Sequence, residues 1–313
     1  DLLVDFFFII SGFVMSFNYK HFNNLTDVGV FIKKRFLRLY PLLLFSSFLF
    51  FLFEIFSRNT FSNFIHKDID NFSLIKSFVD TIFLNNSTSL LGNTWGINRP
   101  TWSISAEFYA YIVFSIILLI KAIKKRKLSW VIALVISAFI LFTYSFQGEY
   151  TNAEFGFLRC IYLFIIGVII EQLPPVKTKS YAFVEILLFT SSLCILYINK
   201  YLITSSIIQH CIELLIIPLL FSMIIYFTIN GSGYISSVLS TKSIQWLGKY
   251  SYSIYLNHAI ILLALPKFIF QVLGVPATSM IEYLVFLICI LITIVYSTFT
   301  YKYVEKRFYK PNH

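Results

Sequence analysis

Four short runs in this chain carry ionisable or hydroxylated side chains among residues that are otherwise apolar. In Arg99–Pro100–Thr101–Trp102–Ser103–Ile104–Ser105–Ala106–Glu107–Phe108–Tyr109–Ala110–Tyr111, the residues Ser103, Glu107 and Tyr111 recur at every fourth position. They therefore line one face of a helix. A carboxylate there can orient a catalytic imidazole or hold a substrate hydroxyl. It can also be the structural partner of a cation such as Arg159. Trp102 offers a ring face to a sugar, and equally fits a plain interfacial anchor. The run Leu247–Gly248–Lys249–Tyr250–Ser251–Tyr252–Ser253–Ile254–Tyr255–Leu256–Asn257–His258 puts Ser251, Tyr255 and His258 on one face. His258 can move a proton or simply hydrogen-bond a neighbouring helix.

The other two runs lie nearer the start of the chain. Arg35 and Arg38 are three residues apart in Lys33–Lys34–Arg35–Phe36–Leu37–Arg38–Leu39–Tyr40–Pro41, so both guanidiniums share a helical face. Paired guanidiniums can grip a phosphate bidentately, or anchor the chain to lipid phosphates. Asp5, Gly12 and Ser16 form a polar and small stripe among phenylalanines. That stripe is either a functional face or a helix-packing face.

What must position these groups follows from composition. Hydrophobic residues are 58% of the 313 and charged residues only 13%, and the mean hydropathy is +0.78. A soluble chain averages about 25% charged residues, so this one cannot cover a water-facing surface. The pattern predicts an all-α polytopic membrane protein with nine spans: 2–18, 39–56, 102–120, 129–147, 158–173, 181–199, 207–229, 250–272 and 280–301. The stretch 78–91 is too short and too rich in Asn and Ser to cross, and reads as an interfacial or re-entrant piece of a long loop. No soluble domain interrupts residues 1–313, which read as a single transmembrane domain.

Charge orients the spans. Lys20, Lys33, Lys34, Arg35, Arg38, the Lys121–Lys127 cluster, Lys177, Lys179, Lys242, Lys249 and the basic C-terminal residues all fall on alternate loops. The positive-inside rule places that side in the cytoplasm, with Asp1 outside and the C-terminus inside. The net charge of +10 is thereby explained without nucleic acid. Cys160, Cys194, Cys211 and Cys289 lie in apolar runs with no C-x-x-C pair, so they read as small buried thiols, with neither zinc nor disulfides implied.

The ordered set of runs resembles the integral-membrane acyltransferase-3 family, which includes bacterial O-antigen and exopolysaccharide O-acetyltransferases. The resemblance rests on Val4–Asp5–Phe6–Phe7 to Ser11–Gly12–Phe13, Arg35-x-x-Arg38 with Tyr40–Pro41, Thr101–Trp102–Ser103 to Glu107–Phe108–Tyr109, and Gly248-x-x-Ser251–Tyr252 to Tyr255–Leu256-x-His258. Val304–Glu305–Lys306 to Phe308 looks like the family's ending, but Arg307 stands near where a proline is common, so Glu305 is given no catalytic weight. The family's usual core has ten helices. Nine spans starting outside imply that the first helix lies upstream of Asp1, together with the histidine usually assigned as the catalytic base. This stretch alone would then be inactive.

The resemblance implies a membrane O-acyltransferase in the bacterial cytoplasmic membrane. Its co-substrate would be acyl-CoA, in particular acetyl-CoA, held by Arg35 and Arg38, with no metal. Its acceptor would be a glycan or lipid-linked sugar near Trp102, Ser103 and Tyr255, with Glu107, Asp5 and His258 as the catalytic groups. Membrane lipids are the remaining partner, and neither the sequence nor the resemblance specifies an oligomeric state. The rival reading is a polysaccharide or lipid-linked sugar exporter, which would also need carboxylates and a histidine in a cavity. Against it stands the absence of inverted halves or paired broken helices.

Overall fold

The computed structural model describes residues 2–60, 70–88, 96–146, 155–175, 182–230 and 233–308. Every described element is helical: α1 Leu2–Asn18, α2 Leu25–Thr60, α3 Asn71–Ile82, α4 Thr101–Leu118, α5 Ile123–Phe146, α6 Gly156–Glu171, α7 Ala182–Tyr201, α8 Ser206–Cys211, α9 Ile217–Asn230, α10 Tyr234–Leu239, α11 Lys242–Lys267, α12 Ser279–Thr300 and α13 Lys306–Phe308. Three π-helical turns, Ile212–Ile216, Phe268–Val272 and Tyr301–Glu305, lie between α8 and α9, after α11 and before α13.

Each of the nine predicted spans overlaps a helix, or a helix continued by a π-turn, with ends that differ by up to two residues among the described residues. By length and composition, 7 of these are long and apolar enough to cross a membrane. The count differs at α1 and α6, with 17 and 16 residues. At about 1.5 Å per residue these reach roughly 24–26 Å, short of the hydrocarbon core. α2 differs in the other direction. Its 36 residues run unbroken through Pro41 from well before the expected start, because the basic run Lys33–Arg38 continues the same helix. The 78–91 stretch also resolves differently. Its first part is the end of α3, which starts at Asn71 behind an Asp70 N-cap accepting from the Ser73 amide; residues 89–91 lie outside the described residues.

The chain divides into two compact units, one of Asp1–Phe31 with Tyr109–Gln245 and the other of Ile32–Phe108 with Trp246–His313. In the first unit α6 is central. It packs against α1, α5 and α9, and its buried residues run all round its circumference, as expected of an apolar helix enclosed by others. Enclosure, not lipid contact, explains how so short a helix is satisfied. The α1–α6 crossing is built on two glycines. A Cβ on Gly12 would collide with the Phe164 carbonyl oxygen, and one on Gly167 with the Ile9 carbonyl oxygen. Small residues here let the two backbones touch.

A second device in this unit concerns Pro218. Proline has no N–H, so the carbonyl four residues earlier, Leu214, loses its usual helical donor. The Tyr162 hydroxyl donates to that carbonyl at 2.9 Å. In the second unit, Phe50, Leu74 and Ile97 form a core with Phe51, Phe78 and Ile260 packed against it, which ties α2 and α3 to the segment before α4 and to α11. Large apolar side chains stay exposed along α7 and α12, for example Phe183, Leu187, Leu287 and Leu291, where lipid would meet them. Two of the four cysteines, Cys160 and Cys289, are buried as expected. Cys211 is partly covered and Cys194 is exposed on α7.

Candidate active site

The second unit holds Arg35, Arg38, Trp102, Ser103, Glu107, Tyr255 and His258 together. The amino-terminal turns of α4 are seated by a network of short polar side chains. Asn98 Nδ2 donates to the Leu256 carbonyl at 3.0 Å, and Thr101 Oγ1 donates to the Asn98 carbonyl at 2.6 Å. Asn86 Nδ2 donates to Thr101 Oγ1 at 2.7 Å, and Ser105 donates to Asn86 Oδ1. Gly96 threads this network at φ +68°, where any Cβ would strike Asn86, Thr81 and Thr101. Only glycine adopts that backbone readily with nothing to spare around it.

On this platform Ser103 and Glu107 face inward at 1% and 2% exposure. Ser103 Oγ lies 2.8 Å from the Tyr255 hydroxyl and 3.0 Å from the Pro100 carbonyl. A carbonyl only accepts, so the serine proton goes to Pro100 and the tyrosine donates to Ser103. Glu107 is close enough for its charge to act on that tyrosine hydroxyl. One helical turn along α11, His258 Nδ1 sits 2.6 Å from the Tyr255 carbonyl. By the same logic Nδ1 carries the hydrogen, which leaves Nε2 as the proton acceptor of the neutral ring. Ser103, Glu107 and Tyr255 thus meet across α4 and α11, and His258 lies beside Tyr255 one turn further along α11.

The arginines approach along α2. Lys33 and Lys34 are exposed while Arg35 and Arg38 are half-buried, so the helix turns its guanidiniums inward and its ammoniums outward. Tyr252 Oη donates to the Leu39 carbonyl at 2.5 Å, which fastens α11 to α2 beside them. Glu305, which sequence reasoning set aside, belongs here as well. It is buried, accepts from Ser253 Oγ at 2.8 Å, and lies within electrostatic reach of Arg38. The π-helical turn Tyr301–Glu305 presents it, and such turns widen a helix locally, often at functional sites. The Val304–Glu305–Lys306 run was its one signal.

Three expectations shift. The inner face of α11 is Ser253, Leu256 and Asn257, with Asn257 Nδ2 donating to Thr300 Oγ1 at 2.8 Å. Ser251 is exposed, so the seam is rotated from Ser251–Tyr255–His258 although the last two stay half-buried. Trp102 is only 2% exposed, enclosed and not an interfacial anchor, and a sugar could stack on it only after a rearrangement. Asp5 lies in the first unit, where Arg159 is its partner. Arg159 Nε and Nη2 donate to its two carboxylate oxygens at 2.8 and 2.6 Å, with both residues 1% exposed. The stripe of Asp5, Gly12 and Ser16 is buried against α6, and Ser11 lies 3.2 Å from the Tyr111 hydroxyl.

Outside the spans, Asp80 on α3 is 1% exposed. Its burial pushes the carboxyl above the usual carboxylate range, and the charge of Lys76 offsets only part of this.

The chain is similar to known proteins over most of its length. A family model described as an acyltransferase domain, the acyltransferase-3 type, matches residues 2–302. Three proteins provisionally named O-acetyltransferases, from Staphylococcus aureus strains COL, MSSA476 and N315, are each 27% identical over 227 residues. The matched region covers 68% of this chain and 36% of each relative, so the chain spans about a third of their length. No solved structure matches it.

Proposed function

The chain belongs to the integral-membrane acyltransferase-3 family, and from that premise we propose that the protein transfers an acyl group, acetyl above all, from acyl-CoA to a hydroxyl of a glycan or lipid-linked sugar. The observation that carries this reading is the gathering of Arg35, Arg38, Ser103, Glu107, Tyr255 and His258 in one compact unit. The exporter alternative has no comparable support, since the family is one of transferases.

The chemistry assigns the residues as follows. Arg35 and Arg38 grip the phosphates of the donor from the cytoplasmic side. The acceptor hydroxyl oxygen attacks the thioester carbonyl carbon while its proton passes to a base. His258 Nε2, poised by the bond from Nδ1–H to the Tyr255 carbonyl, serves as base among the described residues of this unit, and the charge of Glu107 favours the imidazolium that forms. The Tyr255 hydroxyl can turn from Ser103 to the oxyanion of the tetrahedral intermediate. Collapse breaks the carbon–sulfur bond, forms the ester and releases the CoA thiolate, which takes up the proton.

Two experiments test this. Full-length protein in proteoliposomes, given labelled acetyl-CoA and candidate glycans, should yield an alkali-labile ester on the glycan. Glycan crossing the membrane without label would favour the exporter. Topology reporter fusions should place the Lys124–Lys127 run at the start of α5 in the cytoplasm and Asn85–Ser87 outside. The opposite result would remove the donor-side argument.

A further inference from the structure

The first unit contains a cavity that the transfer chemistry does not use. It encloses about 190 Å³ beside the ends of α1, α4 and α6 and the start of α5, and among its lining residues are Ser16, Lys20, Arg126, Lys127, Trp130 and Glu171. Its acidic group is already committed. Ser16 Oγ donates to Glu171 Oε2 at 2.8 Å, and Lys20 pairs with Oε1. Arg126 Nη1 donates to the Lys20 carbonyl at 3.0 Å, which fixes the guanidinium at the cavity wall with its other donors to spend. Lys127 is exposed beside it. Among the described residues no second carboxylate lines the cavity, so the two cations on α5 outnumber the charge facing them.

Apart from Tyr19 and Gln172, the rest of the lining is apolar: Phe114, Leu118, Ile123, Val168 and the buried ring of Trp130. A cationic rim over an apolar floor suits a phosphate carried by an organic group better than a small inorganic cation. The volume is below the roughly 300–1,000 Å³ of pockets that enclose drug-sized ligands, and it fits a phosphate with its first few attached atoms. Basic pockets between membrane helices take anionic headgroups in this way.

We propose that this cavity is a phosphate-binding site, with Arg126 and Lys127 holding the anion and the Lys20–Glu171–Ser16 chain holding Arg126 in place. Two sources share that chemistry: the headgroup of an anionic phospholipid, or a soluble phosphate. The site belongs to the unit built on the α1–α6 crossing, whereas the arginines assigned to the acyl donor belong to the other unit.

The test uses full-length protein in detergent, titrated with phosphatidylglycerol, with phosphatidylcholine and with inorganic phosphate, and read by shift in unfolding temperature and by native mass spectrometry. Phosphatidylglycerol should bind and stabilise where phosphatidylcholine does not. Arg126→Gln with Lys127→Gln should weaken that binding roughly 30-fold, about 1 kcal/mol for each cation at about 1.4 kcal/mol per tenfold. Lys127→Gln alone touches an exposed side chain and should give part of the loss without disturbing the fold. Lys124→Gln with Lys125→Gln removes equal charge from exposed positions on the same helix and should leave binding unchanged. Stabilisation by inorganic phosphate with no lipid preference, lost in the Arg126 and Lys127 variants, would assign the soluble source. Equal effects in the pocket and control variants, or no response to any phosphate, would overturn the proposal.

Discussion

Asp5 and Arg159, 154 positions apart, meet in a bidentate ion pair that is almost completely buried. Neither charge has water to fall back on, so removing one partner strands the other. Asp5→Ala should lower stability by about 3–5 kcal/mol, seen as a large drop in unfolding temperature in detergent. Exchanging the pair, Asp5→Arg with Arg159→Asp, should recover part of that loss. A small effect of Asp5→Ala on stability combined with loss of transfer would make Asp5 a catalytic group instead.

Glu107 should behave in the opposite way. Glu107→Gln keeps the shape of the side chain and removes its charge from within reach of the Tyr255 hydroxyl. Acyl transfer by the full-length protein should fall by about 10²-fold or more, with little change in unfolding temperature. An active, normally folded variant would exclude Glu107 from the chemistry.

Arg38→Lys retains the positive charge and loses the planar fork. If the donor phosphate is held bidentately, the KM for acyl-CoA should rise about tenfold, roughly 1.4 kcal/mol, while kcat changes little. Glu305→Gln should move the same KM in the same direction, because Glu305 sits within electrostatic reach of Arg38. An unchanged KM in the Arg35→Ala, Arg38→Ala double variant would leave both as lipid anchors.

The α1–α6 contact admits a packing test. Gly12→Leu forces a side chain against the Phe164 carbonyl, which backbone cannot yield cheaply. It should destabilise the first unit by about 1–3 kcal/mol or more. Gly29→Leu, with open space around its Cβ position, should not.

Asp80 predicts a pH dependence. Its folded-state pKa is raised by burial, so the protonated form is favoured in the fold. The stability it contributes is complete below the ordinary carboxylate pKa and is lost as pH rises through its raised value. Asp80→Asn should therefore raise the unfolding temperature at neutral pH and flatten the stability profile just above the carboxylate range. An unchanged profile would mean that the carboxyl is solvated.

The sequence by itself determined the all-helical membrane character, the approximate place of the apolar helices, and the helical spacing that sets Ser103, Glu107 and Tyr111 on one side of α4. These are local properties, since composition sets the solvent a chain can tolerate and a 3.6-residue period sets which side chains share a face. It marked the Asp5–Gly12–Ser16 stripe but left it open between a functional face and a packing face, and the α1–α6 contact at Gly12 made that choice.

Only the tertiary structure decided which groups meet. Arg159 goes to Asp5, Glu305 to Ser253, and the Tyr162 hydroxyl to the carbonyl orphaned by Pro218. Each joins helices far apart in the chain. The inner seam of α11 shifted to Ser253 and Asn257 for the same reason. In an apolar solvent, helix faces differ little in their cost of exposure, so burial no longer tells inner from outer. Polar pairing and close backbone approach make that choice instead, and both depend on the neighbouring helix.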